Sequence, residues 1–318
     1  MKKMRILALA LAGMLALSGC GKGVDKGEVV MRVGDTKVTA GDMAVITDLM
    51  SGGDFDSAKA VIPEQVELSL KYGALGEAMK IELTADEKLA GVNTRAQQAK
   101  QLGGLSALEK YVKSNGSSIE FLDNLFGTAA YMSKVNEKIA EMLAETPVSD
   151  EEIQKYYADN YMCAKHILID KGEDAEASKK LAEEILERAK NGEDFDKMAQ
   201  DYSTDPGLES NPQGYVFTSG EMVKPFEEGV KALEIGGFGI CESDYGYHVL
   251  LRLDLPELTD EMKGNITKAC ENNRTNAKMD ELLEEYGIKI EAKDDVINAI
   301  TVDILKVKAE DLIPATEQ

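Results

Sequence analysis

The sequence predicts an α+β protein in which a small sheet-containing unit lies between mainly helical segments. Three observations predict this class. Residues 161–254 alternate β-type and amphipathic segments in the order β-α-α-β-α-β-β. Residues 63–142 instead carry apolar side chains at helical spacing, and a second helical pattern runs from about Asp260 to Tyr286. The sheet unit is therefore inserted between two parts of a mainly helical domain.

The N-terminal residues 1–19 have the three-part pattern of an export signal. Their apolar run, residues 6–17, is shorter than the roughly 20 residues that span a bilayer, and it follows three positive side chains, Lys2, Lys3 and Arg5. The run ends in Leu17-Ser18-Gly19-Cys20, which resembles a bacterial lipobox. The resemblance implies that Cys20 is lipidated and becomes the first mature residue. An ordinary secretory signal with a cysteine near its cleavage site is the alternative.

A lipid on Cys20 would hold the protein on the extracytoplasmic face of the cell membrane without a spanning helix. Cleavage would also remove three positive charges and change the formal net charge from −22 to −25. Such an acidic surface argues against nucleic acid and against anionic lipid head groups as partners. Solubility accounts for this charge, and attraction to basic unfolded clients is a second interpretation.

The cysteine and histidine content excludes several kinds of site. Besides Cys20 the chain has Cys163, Cys241 and Cys270, with no CxxC pair. This spacing predicts neither a disulfide framework nor a thiolate metal site, although a Cys163–Cys241 bridge stays open. With only two histidines, His166 and His248, no metal site is predicted.

Each element of the helical part has a local signal. Residues 28–150 begin with a predicted strand, Val29–Val33, and Thr39 can cap a helix from about Ala40 to Met50. Ser149, three residues before Glu152, predicts a capping box that opens a helix to about Asn160. Residues 256–290 are predicted to complete this domain, since docking gives their apolar helix face a partner. The acidic tail, residues 291–318, has no assigned structure.

Residues 161–254 resemble a parvulin-type peptidyl-prolyl cis-trans isomerase domain. The matching stretches follow the family's order over nearly the whole unit: Lys165-His166-Ile167-Leu168, Tyr202-Ser203-Thr204-Asp205, Phe217, Gly220 to Phe226 and Tyr245 to Val249. Both histidines of the chain fall where the family has its paired active-site histidines. The resemblance implies an antiparallel sheet with surrounding helices.

The resemblance also implies the residues of the site. His166 and His248 would lie on neighbouring central strands and bond to each other or to the hydroxyl groups of Thr204 or Ser243. Asp205 takes the place of the family's Cys or Asp beside the rotating bond. The implied proline pocket consists of Met222 and Phe226, four apart on one helix, with Phe217 beside them. Alternatively, Met222, Phe226 and Phe217 only pack in the core. Asp205 would then be a turn residue before Pro206.

The chemistry of proline isomerisation agrees with such a site. The X-Pro bond crosses a barrier of about 18–20 kcal/mol because the amide is partly a double bond. Catalysis therefore needs a pocket that binds the ring and surroundings that favour the twisted amide, without a covalent step or cofactor.

Two stretches depart from the family pattern. Residues Asn211 to Phe217 replace a glycine-rich run of many relatives, and here Tyr215 is expected to line the substrate pocket in place of an aliphatic residue. The loop after the first strand is acidic, at Asp170, Glu173, Asp174 and Glu176, which disfavours a phosphoserine-proline substrate.

The leader, the helical flanks and the inserted unit together are similar to foldase lipoproteins of the PrsA type. This resemblance implies an extracytoplasmic foldase that binds unfolded secreted chains and isomerises their X-Pro bonds. A binding-only chaperone with a silent isomerase unit is the alternative, motivated by the altered stretch at residues 211–215. A lipoprotein scaffold or adhesin is a third reading, and a homodimer is left open.

Overall fold

The structure is a computed structural model that describes residues 23–312, so the predicted signal peptide and Cys20 lie outside the described residues. The chain divides into two compact units. Among the described residues, unit 1 consists of residues 23–142 and 278–312, and unit 2 is Leu143–Ala277.

Most of unit 1 is helical. Its first segment contains β1 (Val29–Val33), β2 (Thr36–Thr39), α1 (Ala40–Met50), α2 (Phe55–Lys59), α3 (Ile62–Ala78), α4 (Ala85–Gln101), α5 (Leu105–Ser114) and α6 (Ile119–Leu143). Strand β1 lies at the centre of an antiparallel sheet of order β2-β1-β7, where β7 is Ile290–Ala292 near the C-terminus. The predicted cap of α1 is confirmed, because Thr39 and Asp42 form a reciprocal capping box.

The C-terminal segment is part of the core of unit 1. After β7, helix α12 (Asp294–Ala299) places Ile297 and Ile300 among the buried side chains that also include Met43 and Ile46 of α1. The residues called an acidic tail are therefore packed as far as the structure describes them. Their spaced apolar side chains supply the free energy for this packing despite the surrounding acidic residues.

Unit 2 contains a four-stranded antiparallel sheet of order β4-β3-β6-β5. Its elements are α7 (Asp150–Asn160), β3 (Tyr161–Ile169), α8 (Ala175–Lys190), α9 (Phe195–Tyr202), β4 (Tyr215–Thr218), α10 (Lys224–Lys231), β5 (Phe238–Ser243) and β6 (Gly246–Leu253). From β3 to β6 the order is β-α-α-β-α-β-β, so the predicted α+β class and element order are confirmed.

The two faces of this sheet have different partners because successive side chains of a strand point to opposite faces. Ile167 and Ile169 of β3 pack with α8 and α9, in a core that includes Ile185 and Met198. Ala164, on the other face of β3, packs in a second cluster, with Phe217, Phe226, Val230 and Leu250. The histidines lie on this second face.

Unit 2 begins and ends with helices that pack on each other. Ser149 caps α7 by accepting from the Glu152 N–H, as predicted, but the Glu152 carboxylate pairs with Arg274 of α11 (Asp260–Glu285). Ile153 of α7 and Ile266 of α11 share one buried cluster. The compact unit is thus wider than the predicted span 161–254, because these two helices cover each other's apolar faces.

Candidate active site

The two histidines lie on the central strands of unit 2. His166 on β3 is opposite Leu250 of β6, and His248 is opposite Leu168, so the two rings are diagonal neighbours on one face. Their Nδ1 atoms are 3.0 Å apart, and the rings stack with centroids 5.2 Å apart. Both side chains are buried.

Asp205 reaches His166 because the loop after α9 is hydrogen-bonded to the end of β3. The Leu168 N–H donates to Ser203 Oγ at 3.1 Å, and the Thr204 N–H donates to the Leu168 carbonyl at 2.9 Å. This backbone pairing places Asp205 Oδ2 at 3.1 Å from His166 Nε2.

Of the two hydroxyl groups expected beside the histidines, only that of Ser243 reaches one. Ser243 Oγ lies 2.7 Å from His248 Nε2. The Thr204 hydroxyl instead contacts the Leu168 carbonyl at 3.1 Å and Asp170 Oδ1 at 2.9 Å. Thr204 therefore holds the loop against β3 and does not contact the histidine pair.

The hydrogen bonds of the pair have one consistent direction when both rings are neutral. An ionised Asp205 can only accept, so His166 donates from Nε2 and its Nδ1 is an acceptor. His248 then donates from Nδ1, and its Nε2 accepts from the Ser243 hydroxyl. Protonation of His166 at Nδ1 would put two N–H donors in contact between the Nδ1 atoms, whereas protonation of His248 adds a donor at Nε2 that faces the Ser243 hydroxyl.

The surroundings favour these protonation states. Burial lowers the pKa of His166, although the Asp205 carboxylate acts in the opposite direction. Burial and the neighbouring His166 lower the pKa of His248 to about 4. Burial raises the pKa of Asp205, but hydrogen bonds from Tyr215 and the Gly207 N–H, together with His166, outweigh it and leave that pKa below its ordinary value. The pair is thus neutral and the carboxyl group ionised near neutral pH.

An apolar cluster lies directly against the histidines. The ring of Phe226, on α10, is edge-on to His166 at 5.2 Å and to His248 at 5.7 Å between centroids. Phe217 packs on Phe226 at 5.5 Å, and the partly buried Met222 completes this side. Phe217 and Phe226 are buried, and the partly exposed Met222 offers apolar surface of the kind that a proline ring packs against.

Met222 is not on the same helix as Phe226, contrary to the prediction. Helix α10 starts at Lys224 after an extended Val223, and Pro225 stands in its first turn. The Glu227 carboxylate accepts from the N–H groups of Gly220 and Met222, which folds the preceding segment into a turn. Met222 meets Phe226 through this turn and not through helical spacing.

Tyr215 packs against the apolar cluster of Phe217 and Phe226, and its hydroxyl makes a second, polar contact. Its hydroxyl donates to Asp205 Oδ2 at 2.6 Å, and its ring is edge-on to His166 at 5.5 Å. Beside it lies a cavity of about 700 Å³ bounded by the loop from Ser203 to Tyr215 and by β3. The stretch that departs from the family pattern, residues 211–215, thus supplies a hydrogen-bond donor to the Asp205 carboxylate.

Two residues of the site had no clear signal in the sequence. Ser203 Oγ accepts from both the Leu168 and Asp205 N–H groups, and the Gly207 N–H donates to Asp205 Oδ1 at 3.1 Å. The Asp205-Pro206-Gly207 tripeptide predicts a turn, but the turn's contact with β3 is a tertiary feature.

Residues 23–312 contain neither a disulfide nor a candidate metal site. Cys163, Cys241 and Cys270 are free thiols, so the bridge that the sequence left open is not formed. Over residues 23–312, no group of three or more His, Cys, Asp or Glu side chains could hold a metal ion. No helix in that range is long and apolar enough to span a membrane.

Comparisons with known proteins agree with this geometry. Residues 152–254 match the family model of the PPIC-type PPIase domain. The chain is 30% identical to the foldase protein PrsA of Geobacillus kaustophilus over 92% of this chain and 96% of that protein. It is 29% identical to PrsA of Geobacillus sp. strain WCH70, over 92% and 98% of the two chains.

Among solved structures, the peptidylprolyl isomerase PrsA from Bacillus cereus is 24% identical, with 86% of this chain and 98% of that chain covered and a TM-score of 0.33. The assignment of the family rests on the sequence relatives. Because the 30% identity extends over nearly the whole of both chains, this protein belongs to the PrsA foldase family and is a peptidyl-prolyl isomerase.

Proposed function

We propose that this protein is an extracytoplasmic lipoprotein foldase, anchored through Cys20, that isomerises X-Pro bonds of exported proteins and binds them while unfolded. Uncatalysed isomerisation takes tens to hundreds of seconds, which is slow enough to limit folding after export. The observation that carries the catalytic part is the contact of Phe226 with both neutral histidines.

The proposed mechanism uses this contact without a covalent step. The proline ring binds against Met222, Phe226 and Phe217, and the adjacent X-Pro bond then lies at the histidine pair and Asp205. Rotation of the bond moves charge from the carbonyl oxygen to the nitrogen, and an apolar site favours this less polar state. His166 and His248 keep the sheet face ordered beside the rotating bond, and Asp205 adds a fixed negative charge.

Substitution of Met222 tests the pocket. In the chain without its leader, Met222→Ala should lower kcat/KM for a proline peptide about tenfold, because roughly 1.4 kcal/mol of apolar contact is lost in the transition state. Exchange between cis and trans peptide, measured by NMR, gives the rate. The matched control is Met262→Ala, since Met262 is also partly buried in unit 2 but packs with Ile266 away from the site. Equal rates in both variants would contradict the proposed pocket, and no acceleration by the wild type would favour a binding-only chaperone.

Client binding is proposed for unit 1, where large apolar side chains are exposed. Met50, 51% exposed, borders a small apolar groove with Ile46, Ile62, Val66 and Phe126. Unfolded chains expose the apolar side chains that fit such a groove, and the acidic surface attracts basic clients.

Met50→Ser should therefore weaken suppression of aggregation of an unfolded client without changing isomerisation of a short peptide. Met142→Ser is the control, because Met142 is 47% exposed but does not border the groove. Equal suppression by the two variants would argue against this groove. Weaker suppression of aggregation by the wild type at high salt would support the electrostatic part of the binding.

The anchor has a separate test. The protein should incorporate labelled palmitate and fractionate with the membrane, whereas Cys20→Ala should abolish labelling and release the chain. Retention of label in Cys20→Ala would contradict lipidation at this residue.

A further inference from the structure

Tyr215 differs from the other aromatic side chains of the site because it binds the carboxylate. It is the first residue of β4 and lies opposite Ala164 of β3. Its hydroxyl is 2.6 Å from Asp205 Oδ2, the same oxygen that lies 3.1 Å from His166 Nε2. One carboxylate oxygen thus joins the tyrosine to the histidine pair.

Tyr215 is the donor of this bond. Burial and the adjacent Asp205 raise the pKa of Tyr215 to about 12, so its hydroxyl keeps its proton at neutral pH. The ionised Asp205 can only accept, and a charge-assisted bond of this kind is stronger than a neutral one. Asp205 Oδ2 therefore accepts from two sides, from Tyr215 and from the series of donors that runs from Ser243 through His248 to His166.

The Tyr215 hydroxyl closely approaches the backbone of the loop at Gly207. A Cβ atom on Gly207 would lie 2.1 Å from the Tyr215 hydroxyl oxygen, so only glycine permits this approach. The Gly207 N–H meanwhile donates to Asp205 Oδ1 at 3.1 Å. Each carboxylate oxygen of Asp205 is therefore held, one by the backbone and one by Tyr215 and His166.

We propose that Tyr215 is a positioning residue of the isomerase, which orients the Asp205 carboxylate toward His166 and thereby selects the tautomers of the histidine pair. This inference rests on the proposed function of the site. This role is added to the expected one in the wall of the proline pocket, since Tyr215 also packs against the cluster of Phe217 and Phe226. The ring contacts His166, and the polar atom that would otherwise face a substrate is occupied by Asp205.

Other charged groups near Asp205 take no part in the hydrogen bonds that join Tyr215, Asp205 and the histidines. The same cavity is bordered by Lys165, Asp196 and Glu209. Lys165 is paired with Asp196 at 2.6 Å, and Glu209 is exposed. His166 and Tyr215 are thus the titratable groups in hydrogen-bond contact with the carboxylate.

Tyr215→Phe in the chain without its leader tests the inference, because it removes the hydroxyl and keeps the ring. Burial then acts on Asp205 with one donor fewer, so its pKa should rise and the acid limb of kcat/KM should move up by about one pH unit. KM should stay within about twofold, since the apolar surface is retained. Gly207→Ala should reproduce the shift by displacing the hydroxyl.

The matched control is Tyr202→Phe. The Tyr202 hydroxyl contacts Arg188 at 3.2 Å in the same unit and takes no part in the hydrogen bonds between Ser243 and Asp205. The pH profile of Tyr202→Phe should therefore coincide with that of the wild type. Titration of the Asp205 carboxyl carbon and the ¹⁵N shifts of both histidines, followed by NMR, report the same change without requiring activity. A wild type without isomerase activity would thus overturn the proposed function while these titrations still decide the role of Tyr215. Unchanged titration of Asp205 and unchanged histidine tautomers in Tyr215→Phe would overturn the inference.

Discussion

The two units of the protein contain the same hydrogen bond in different surroundings. In unit 1 the Tyr111 hydroxyl donates to Asp48 Oδ2 at 2.6 Å, and in unit 2 the Tyr215 hydroxyl donates to Asp205 Oδ2 at 2.6 Å. The second partner of the Asp48 oxygen is a backbone group, the Ala309 N–H at 2.7 Å. The second partner of the Asp205 oxygen is the His166 ring.

This difference separates a structural network from one that can respond to pH. The network of unit 1 continues at the fully buried Asn115, whose side chain binds Lys306 N–H and the Val307 carbonyl, each at 2.7 Å. Apart from Tyr111 and Asp48, its partners are backbone groups, which do not titrate and which belong to the C-terminal segment. The network of unit 2 joins side chains to side chains, and two of these are histidines. A network of the second kind can support chemistry at the cost of stability in acid.

The largest expected effect is the destabilisation of unit 1 when the Asn115 side chain is removed from its network. Asn115→Ala leaves the Lys306 N–H and the Val307 carbonyl without partners, which should lower the free energy of unfolding of unit 1 by about 3–4 kcal/mol. Denaturant unfolding followed by NMR signals of each unit measures it. Asn93→Ala, at an exposed position of α4, should have almost no effect. If Asn115→Ala also lowered isomerase activity at low denaturant, the two networks would not be independent.

The next largest expected effect is the loss of unfolding free energy of unit 2 in acid. His248 has a pKa of 6.5 when unfolded and about 4 when folded, so the unfolded state binds more protons between these values. The contribution of His248 is complete above about pH 6.5 and is lost as the pH falls toward 4, a change on the order of 3 kcal/mol.

The lowered pKa of His166 acts in the same direction. His248→Gln should reduce the slope of unit 2 stability against pH in this window, measured by urea unfolding at several pH values. An unchanged slope would show that the histidine pair does not carry the acid sensitivity.

The smallest expected effect is that of Tyr111→Phe, which can be compared directly with Tyr215→Phe. Tyr111→Phe should cost unit 1 about 1–2 kcal/mol, because a buried carboxylate loses one donor. It should leave the pH profile of isomerisation unchanged, whereas Tyr215→Phe should move that profile. Paired stability and activity measurements on both variants test this, and a shifted profile in Tyr111→Phe would remove the distinction between the networks.

Local patterns were sufficient to predict much of unit 2 and the cap of helix α1 in unit 1. The spacing of apolar side chains predicted its order of elements, and the caps at Thr39 and Ser149 lie where the sequence placed them. The contact of His166 with His248 agrees with the family resemblance, which placed the two residues on neighbouring strands. Met222 was placed on the wrong element, because a spacing of four residues is shared by helices and by turns that precede them.

The sequence by itself determined the class of fold, the order of elements and the two histidines around which the site is built. The fold class and the order of elements depend on strand and helix periods and on caps, all of which are local, whereas the two histidines follow from the resemblance of residues 161–254 to the isomerase family. Only the tertiary structure decided that Tyr215 binds Asp205, that Thr204 does not contact the histidines and that the C-terminal segment packs in unit 1. Each of these contacts joins segments whose distance and register are set by packing, and packing free energy is a property of the assembled core.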